Sequence, residues 1–284
     1  MLSLYLRPMI NPCFQGVKLA SVLAVVAVFI WIVGDIFWQG LPKINADFLF
    51  GTPSNAGRDG GIRPVILSTI YILAIAILAT LPFATLTGLF FSEKLFPLSP
   101  IFRPLQRFVD ILAGVPSVVF GLFGNTYFCN YLGMGYSILS GGLTLACMIL
   151  PLAAKILQNA FSSIPNEYVS GGEALGLSKF TIFSKIMIPS VLPQVTAIYI
   201  ICIGRALAET AALLFTSGYV MRDPESLFDS GRTLSIHIYD LSMNITGGNA
   251  NAYKTAFVLV IMLLLINYIA HITIRKWTRL SHGR

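Results

Sequence analysis

Two opposite charges inside an apolar stretch are the residues of this sequence most able to do chemistry. Arg205 and Glu209 stand four positions apart in SVLPQVTAIYIICIGRALAETAALLFTS, residues 190 to 217. On a helix this spacing places both side chains on the same side. An arginine at the centre of a membrane helix costs roughly 2.5 to 3.5 kcal/mol on insertion scales. We therefore expect the pair to face protein or a water-filled path rather than lipid.

The composition indicates an all-α, polytopic membrane protein. Of the 284 residues, 56% are hydrophobic and 11% are charged, and the mean hydropathy is +0.78. Soluble globular domains carry about 25% charged residues, so this apolar surface does not fit into one soluble core. The net charge of +7 is spread over the ends of apolar runs rather than gathered on one face, which argues against nucleic acid as a partner.

Motifs for catalysis or metal binding do not occur in the sequence. The four cysteines show no CxxC spacing, so neither a disulfide framework nor a metal site is indicated. His237 and Asp240 are too few for a metal site. The sequence contains no HExxH motif and no phosphate-binding GxxxxGK[ST] loop. We therefore predict no catalytic residue, no cofactor and no metal, and a transport process driven by a partner's energy.

Apolar runs predict six transmembrane helices within one permease domain, residues 1–284. The first run, interrupted only by Asp35, is too long for a cleaved signal peptide and is predicted to remain as a span. The uncharged run from 111 to 154 is too long for one crossing and is divided by a polar turn. The predicted spans are 19–38, 65–91, 108–128, 136–157, 191–217 and 253–274.

Two further features lie at the edges of the predicted spans. Asp110 is predicted to lie at the membrane interface paired with Arg103 or Arg107, with a role in a transport pathway as the alternative. The second outer segment, 218–252, contains RTLSIHIYDLSM. Its helical periodicity predicts a short helix that lies in the membrane interface, with Leu234, Ile238 and Leu241 on its apolar face.

Basic residues set the predicted orientation. Six spans put both termini and the even-numbered loops on one side, which collects twelve Lys and Arg residues, while the other side holds six. Cytoplasmic loops carry the excess of positive charge. The termini and the loop at 160–189 are therefore predicted to be cytoplasmic.

The loop at 160–189 has the pattern of two helices around a glycine corner. Gly176 can adopt the left-handed conformation that ends a helix, and Ser178 can cap the next one. Leu175, Leu177 and Phe180 form an apolar cluster at this corner, here called the knob. The knob either enters a groove on a partner or packs under the membrane domain of its own chain, and the residues alone leave both alternatives open.

Four segments resemble known permeases. Gly176 followed by Ile186-Met187-Ile188-Pro189 resembles the second half of the EAA loop of ABC-importer permeases. The family's Glu-Ala-Ala falls on Ser170, Gly171 and Gly172, so its glutamate is absent unless Glu173 replaces it. GRALAETAALLFTSG at 204–218, GGIRPVILSTIYI at 60–72 and GVPSVVFGLFG at 114–124 resemble the PstA-type permeases of phosphate ABC importers.

This resemblance implies a fold, a site and partners. The fold is the six-helix, type I (MetI-like) permease fold, and the transport pathway contains Arg205, Glu209 and Thr210. The expected partners are a homodimeric ATP-binding subunit, a second, PstC-type permease that completes a heterodimer, an extracytoplasmic phosphate-binding protein and membrane lipid, with no nucleic acid. The residues implied in ATPase docking are Glu173, Ala174, Leu175, Gly176, Leu177 and Phe180.

The expected function is inward movement of inorganic phosphate across the cytoplasmic (inner) membrane of a prokaryote. The choice of phosphate rests on the resemblance, because Arg205 suits sulfate, molybdate or phosphonate equally well. Two alternatives belong to other classes. A structural or assembly subunit would use Arg205 and Glu209 as an inert paired strut, and a membrane enzyme would need more polar groups in its spans than this sequence offers.

Overall fold

A computed structural model describes the backbone of residues 7–96 and 100–282. The described chain is almost entirely helical. Its helices are α1 (Arg7–Gly40), α2 (Ala46–Phe50), α3 (Arg63–Phe91), α4 (Arg103–Leu112), α5 (Ser117–Gly124), α6 (Ile138–Ser162), α7 (Asn166–Ala174), α8 (Lys179–Ile182), α9 (Ile188–Ala208), α10 (Ala211–Leu214), α11 (Leu234–Met243) and α12 (Asn249–His282). Short 3-10 turns at Leu41–Lys43, Asn55–Gly57 and Pro100–Phe102, and π-helical turns at Asn125–Tyr131 and Phe183–Met187, connect some of them.

Within the described residues, four helices are long and apolar enough to cross a membrane: Phe14–Gly40, Arg63–Phe91, Ile138–Ser162 and Asn249–Ile269. Two bent pairs bring the number to six if each pair forms one span. The predicted third span, 108–128, is wrong as a single helix, because α4 and the helical segment Ser117–Tyr131 meet at 103°. The second bent pair, Lys179–Leu192 and Gln194–Ala208, meets at 66°.

The core forms where α3 packs along α6, and small residues allow the two helices to approach closely. A Cβ added to Gly142 would lie 2.6 Å from Cγ2 of Ile75, and one added to Gly88 would lie 2.7 Å from Cβ of Leu157. Contacts of this kind are typical of helix pairs in membranes, where tight packing rather than water exclusion drives association. Substituting either glycine would push the central pair apart.

The first span packs against α12 rather than against this core. Gly40 faces Phe257, and the rings of Phe37 and Phe257 meet edge to face at 4.8 Å. Asp35, the one acid in the span, accepts hydrogen bonds from Gln39 Nε2 (2.7 Å) and from the Tyr253 hydroxyl (3.1 Å). Hydrogen bonding to a second helix explains how this carboxylate is accommodated in an apolar helix.

The two outer segments, 41–62 and 218–248, meet at one end of the helices. A two-stranded ladder of β1 (Pro53–Ser54) and β2 (Asp59–Gly60) closes the first segment, and Ile62 and Leu234 share a buried cluster. The predicted interfacial helix is present as α11, but Leu234 and Leu241 are fully buried. The prediction that α11 lies on the lipid surface is therefore wrong, because its apolar face packs against protein.

Candidate transport site

Arg205 lies in the last turn of α9, and its side chain is exposed. Among the described residues, no carboxylate lies within ion-pair distance of its guanidinium, and no hydrogen bond to it is present. A guanidinium has five N–H donors in a planar fork that matches an oxyanion. All of these donors remain available to a ligand or a partner.

Helix α9 ends immediately before Glu209, which the sequence placed in the same span as Arg205. Glu209 has extended backbone angles, φ −74° and ψ 129°. Its Oε1 accepts a hydrogen bond from the backbone N–H of Ala212 (3.2 Å), and its carbonyl oxygen accepts one from Oγ of Ser235 (2.6 Å). The expectation that Arg205 and Glu209 share one face of a continuous helix is wrong, because Glu209 stabilises the turn that follows the break.

Thr210 completes the break between α9 and α10. It precedes α10 with φ −121° and ψ −51°, and its carbonyl oxygen accepts a hydrogen bond from the N–H of Leu214 (3.0 Å). Non-helical backbone at membrane depth is tolerated only where it is buried in protein or lines a cavity. The structure thus brings Arg205, Glu209 and Thr210 together at the end of a helix, without an ion pair between the two charges.

Three of the segments that carried the resemblance meet around this break. Gly121, from the segment 114–124, approaches α10 so closely that an added Cβ would lie 2.8 Å from Cα of Ala212. Asn125 Nδ2, just beyond that segment, donates to the carbonyl oxygen of Phe215 (2.7 Å). Thr69, from the segment 60–72, accepts through Oγ1 from the N–H of Leu234 (3.0 Å) at the start of α11.

The loop at 160–189 folds as two helices around a glycine corner, as predicted. Gly176 has φ +72°, a left-handed conformation, and the Ser178 hydroxyl accepts a hydrogen bond from the N–H of Thr181 (3.2 Å). In the knob, Leu175 is 80% exposed, Phe180 76% and Leu177 37%. Of the two alternatives for the knob, packing under its own membrane domain is wrong for Leu175 and Phe180. Glu173 and Ala174 lie beside the knob at the exposed end of α7.

Asp110 pairs with a different residue from the one predicted. Its Oδ1 lies 2.8 Å from Nζ of Lys155 on α6, and both side chains are partly exposed. The expected pairing with Arg103 or Arg107 is wrong because the bend after α4 turns that helix toward α6. This ion pair fixes α4 beside the C-terminal half of α6.

A buried charged cluster in the second outer segment was missed by the sequence analysis. Arg232, 6% exposed, lies 2.9 Å from Oδ2 of Asp240 through its NH1 nitrogen, and its Nε donates to the carbonyl oxygen of Tyr219 (3.0 Å). His237 is fully buried, with Nδ1 3.5 Å from NH1 of Arg232. Burial, together with the positive charge of Arg232, lowers the pKa of His237 to about 4, against an opposing effect of Asp240.

His237 is therefore neutral at pH 7. Since Arg232 can only donate, Nδ1 accepts and the proton is assigned to Nε2. Gly57 (φ +88°) lies against the ring, and a Cβ there would be 2.6 Å from Cε1 of His237. The cluster thus joins three parts of the two outer segments: the loop at 55–60, the irregular segment at 219–222 and α11 with the residues just before it. The signal available in the sequence was the three-residue spacing of His237 and Asp240, which places both on one helix face.

Comparisons with known proteins agree with the membrane-helix fold described above. Residues 81–276 match the family model described as "Binding-protein-dependent transport system inner membrane component". The probable ABC transporter permease protein YqgI of Bacillus subtilis is 29% identical over 88% of this chain and 90% of its own length. The phosphate transport system permease protein PstA 2 of Mycobacterium bovis is 26% identical over 96% of this chain and 92% of its own length.

A solved structure shows the same fold. The crystal structure of a bacterial ABC transporter involved in the import of the acidic polysaccharide alginate aligns with a TM-score of 0.67 at 15% identity, covering 95% of this chain and 99% of that one. This likeness concerns the fold alone. With a family model that matches more than half of its length, and with the helices described above, the chain belongs to the family of inner-membrane components of binding-protein-dependent transport systems.

Proposed function

We propose that this chain is the PstA-type permease subunit of an ABC importer that moves inorganic phosphate inward across the cytoplasmic membrane. The observation that carries the proposal is Arg205, whose exposed guanidinium lies beside a helix break and has no ion-pair partner among the described residues. Paired N–H donors of a guanidinium suit a tetrahedral oxyanion. The similarity to a phosphate permease over nearly the whole chain favours phosphate over sulfate, molybdate or phosphonate.

Uptake measurements test the substrate. The complete complex, reconstituted in proteoliposomes, should import labelled phosphate, and unlabelled phosphate should compete far better than sulfate or phosphonate. Competition by sulfate at the same concentration as phosphate would overturn the substrate assignment. An empty-liposome preparation and a complex without ATP serve as controls.

Partner proteins are proposed to supply ATP hydrolysis, the other half of the pathway and delivery of the substrate. A homodimeric ATP-binding subunit hydrolyses ATP below the membrane, and a PstC-type permease forms the other half of the pathway. An extracytoplasmic phosphate-binding protein delivers the substrate to the outer segments. The similarity to inner-membrane components of binding-protein-dependent systems supports these partners. In this proposal the assembled complex, rather than this chain, has ATPase activity.

The knob is proposed to enter a groove on the ATP-binding subunit. Its two most exposed residues, Leu175 and Phe180, are large and apolar, and they stand on a loop whose corner is fixed by Gly176 and Ser178. Water-exposed apolar side chains held in a defined conformation are typical of interaction sites. Glu173 and Ala174 are proposed to contact the same groove.

We expect Phe180→Asp to release the ATP-binding subunit while the permease remains in the membrane. The aspartate would have to lose its hydration in an apolar groove, which is strongly unfavourable without a partner charge. The measurement is the amount of ATP-binding subunit that co-purifies with the tagged permease. Ser162→Asp, which places the same charge at an exposed position at the end of α6, is the matched control. Unchanged co-purification of Phe180→Asp would refute docking through the knob.

Both termini and the loop at 160–189, here called the docking loop, are proposed to be cytoplasmic. In the fold, the end of α1 meets the start of α12 beside the outer segments, so the start of α1 and the end of α12 point toward the end that carries the docking loop. Eleven described Lys and Arg residues belong to that end against six at the other, and Arg284, the twelfth predicted for it, lies outside the described residues.

Single cysteines at Ser226 and Lys179 should therefore react with a membrane-impermeant maleimide from opposite sides. We expect Ser226→Cys to be labelled in intact cells and Lys179→Cys to be labelled only in inverted vesicles. The native cysteines are removed for this experiment. Labelling in the reverse pattern would invert the proposed topology.

A further inference from the structure

Helix α3 connects the docking loop with the outer segments. It runs without a break from Arg63 to Phe91, a length of about 43 Å at 1.5 Å per residue. Its first residue forms an ion pair with Asp223 of the second outer segment, and the chain that follows its last residue touches the docking loop. A continuous helix packed along the core can transmit a displacement from one end to the other.

At the cytoplasmic end, Lys94 attaches the chain after α3 to the start of the docking loop. Its Nζ donates to the carbonyl oxygen of Ile164 and to Oδ1 of Asn166, both at 2.6 Å. The residue before it, Glu93, has φ +58°, a left-handed conformation that is unfavourable for a side chain other than glycine. Such a conformation persists only where the surrounding contacts hold it, and the contacts of Lys94 are placed to do so.

Lys179 makes a second attachment in the opposite direction, from the docking loop back to the same segment. Its Nζ donates to the carbonyl oxygen of Leu95 (2.8 Å) and lies 4.4 Å from the ring centre of Phe96. Gln158 of α6 adds a hydrogen bond to the carbonyl oxygen of Phe91 (3.0 Å). The docking loop and the chain after α3 are therefore linked by two lysine contacts, one at the start of the loop and one next to Phe180 of the knob.

At the outer end, α3 contacts the element that holds the helix break. Thr69 accepts a hydrogen bond from the N–H of Leu234, and Ser235, the next residue of α11, donates to the carbonyl oxygen of Glu209. The path of direct contacts thus runs from the docking loop through Lys94 and Lys179 to α3, then through α11 to Glu209, four residues after Arg205.

We propose that Lys94 and Lys179 are coupling residues, which transmit the movement of the docking loop to α3 and so to the transport site. The proposal rests on the docking function proposed above. Lys94 lies outside the knob, and Lys179, although next to Phe180, donates its Nζ to the carbonyl oxygen of Leu95. Removing these two donors therefore keeps the three apolar residues of the knob, so the ATP-binding subunit stays docked while ATP hydrolysis is separated from substrate movement. A residue that only stabilised the fold would lower assembly and hydrolysis together.

The test uses the complete complex with Lys94→Met and Lys179→Met, which keep the length of the side chain and remove its donors. We expect wild-type co-purification of the ATP-binding subunit, continued ATP hydrolysis, and at least about a fivefold fall in phosphate imported per ATP, the lower end of typical coupling effects. Lys185→Met is the matched control, since the exposed Lys185 forms no hydrogen bond or ion pair within the described chain. Lys94→Arg and Lys179→Arg, which keep a charged donor, should retain part of the wild-type ratio of phosphate imported per ATP.

A second readout does not depend on the substrate. In a cysteine-free background, Thr210→Cys should change its rate of maleimide labelling when the complex is trapped with ATP and vanadate, and this change should be lost in the double lysine variant. The coupling role would be overturned if the lysine variants imported as much phosphate per ATP as the wild type. It would also be overturned if Thr210→Cys in the double lysine variant still changed its labelling rate on trapping. Loss of the ATP-binding subunit from the variants would assign the lysines to docking instead. If the wild-type complex imported no phosphate while the labelling response still depended on the lysines, the substrate proposal would fail and the coupling proposal would stand.

Discussion

Replacing Arg205 by alanine is expected to reduce phosphate uptake at least about tenfold while the complex still assembles. A hydrogen bond to a charged group contributes roughly 1.5 to 3 kcal/mol, which corresponds to about a ten- to hundredfold change in an equilibrium. Arg205 is exposed and forms no ion pair with a described carboxylate. Its removal therefore leaves no buried charge without a partner, and the loss should appear in transport rather than in stability.

The measurement is the initial rate of labelled phosphate uptake, normalised to assembled complex. Arg205→Lys keeps the charge but loses the two parallel donors of the guanidinium, so an intermediate rate is expected. Ala208→Ser, a small change at the neighbouring exposed position, is the control and should transport normally. Near wild-type uptake by Arg205→Ala would end the assignment of Arg205 to the pathway.

The strut hypothesis makes a different prediction for the same residues. It requires a direct pair that apolar residues could replace, so Arg205→Leu with Glu209→Leu should transport normally. The structure gives Glu209 another role, because its carboxylate caps the turn at Ala212 and its carbonyl oxygen binds Ser235. We expect the double leucine variant to lose uptake for two separate reasons, the missing cation and the unsupported break.

Local patterns in the sequence predicted the local structures correctly. The glycine corner at Gly176 and the cap at Ser178 follow from the conformational freedom of glycine and from the serine hydroxyl, which act over a few residues. Four of the predicted spans fall within or nearly within long helices: 19–38, 65–91, 136–157 and 253–274. These could be predicted because a helix that crosses the lipid core needs about 20 consecutive, mostly apolar residues.

Features that depend on distant contacts could not be predicted in this way. The end of α9 is stabilised by Ser235, which lies 26 residues after Glu209, and nothing in the apolar run around Arg205 marks it. The bend between α4 and α5 lies inside the uncharged run from 111 to 154, so no charged residue marks its position. Helix α11 has an apolar face that suits a lipid surface and a protein core equally well, so its burial depends on α3 and α12 being present.

The largest effect on stability is expected from Asp240→Ala. This substitution leaves Arg232, 6% exposed, without its carboxylate partner. Breaking a buried pair by removing one side costs about 3 to 5 kcal/mol, because the remaining charge has lost its hydration and has no counter-charge. His237 cannot take over the role of Asp240, since its ring is neutral and its Nδ1 lies at 3.5 Å from the guanidinium. The measurement is the unfolding free energy of the purified permease in detergent, from a denaturant titration.

Two further variants separate the buried charge from a general effect of mutation in the outer segment. Arg222→Ala breaks the pair with Asp229, in which the arginine side chain is 72% exposed and the N–O distance is 3.8 Å, and exposed pairs contribute only about 0 to 1 kcal/mol. Arg232→Met with Asp240→Leu removes both buried charges, and such apolar replacements are often neutral or stabilising. We therefore expect the double variant to be more stable than Asp240→Ala. Equal losses for Asp240→Ala and Arg222→Ala would show that the buried pair has no special role in holding the outer segments together.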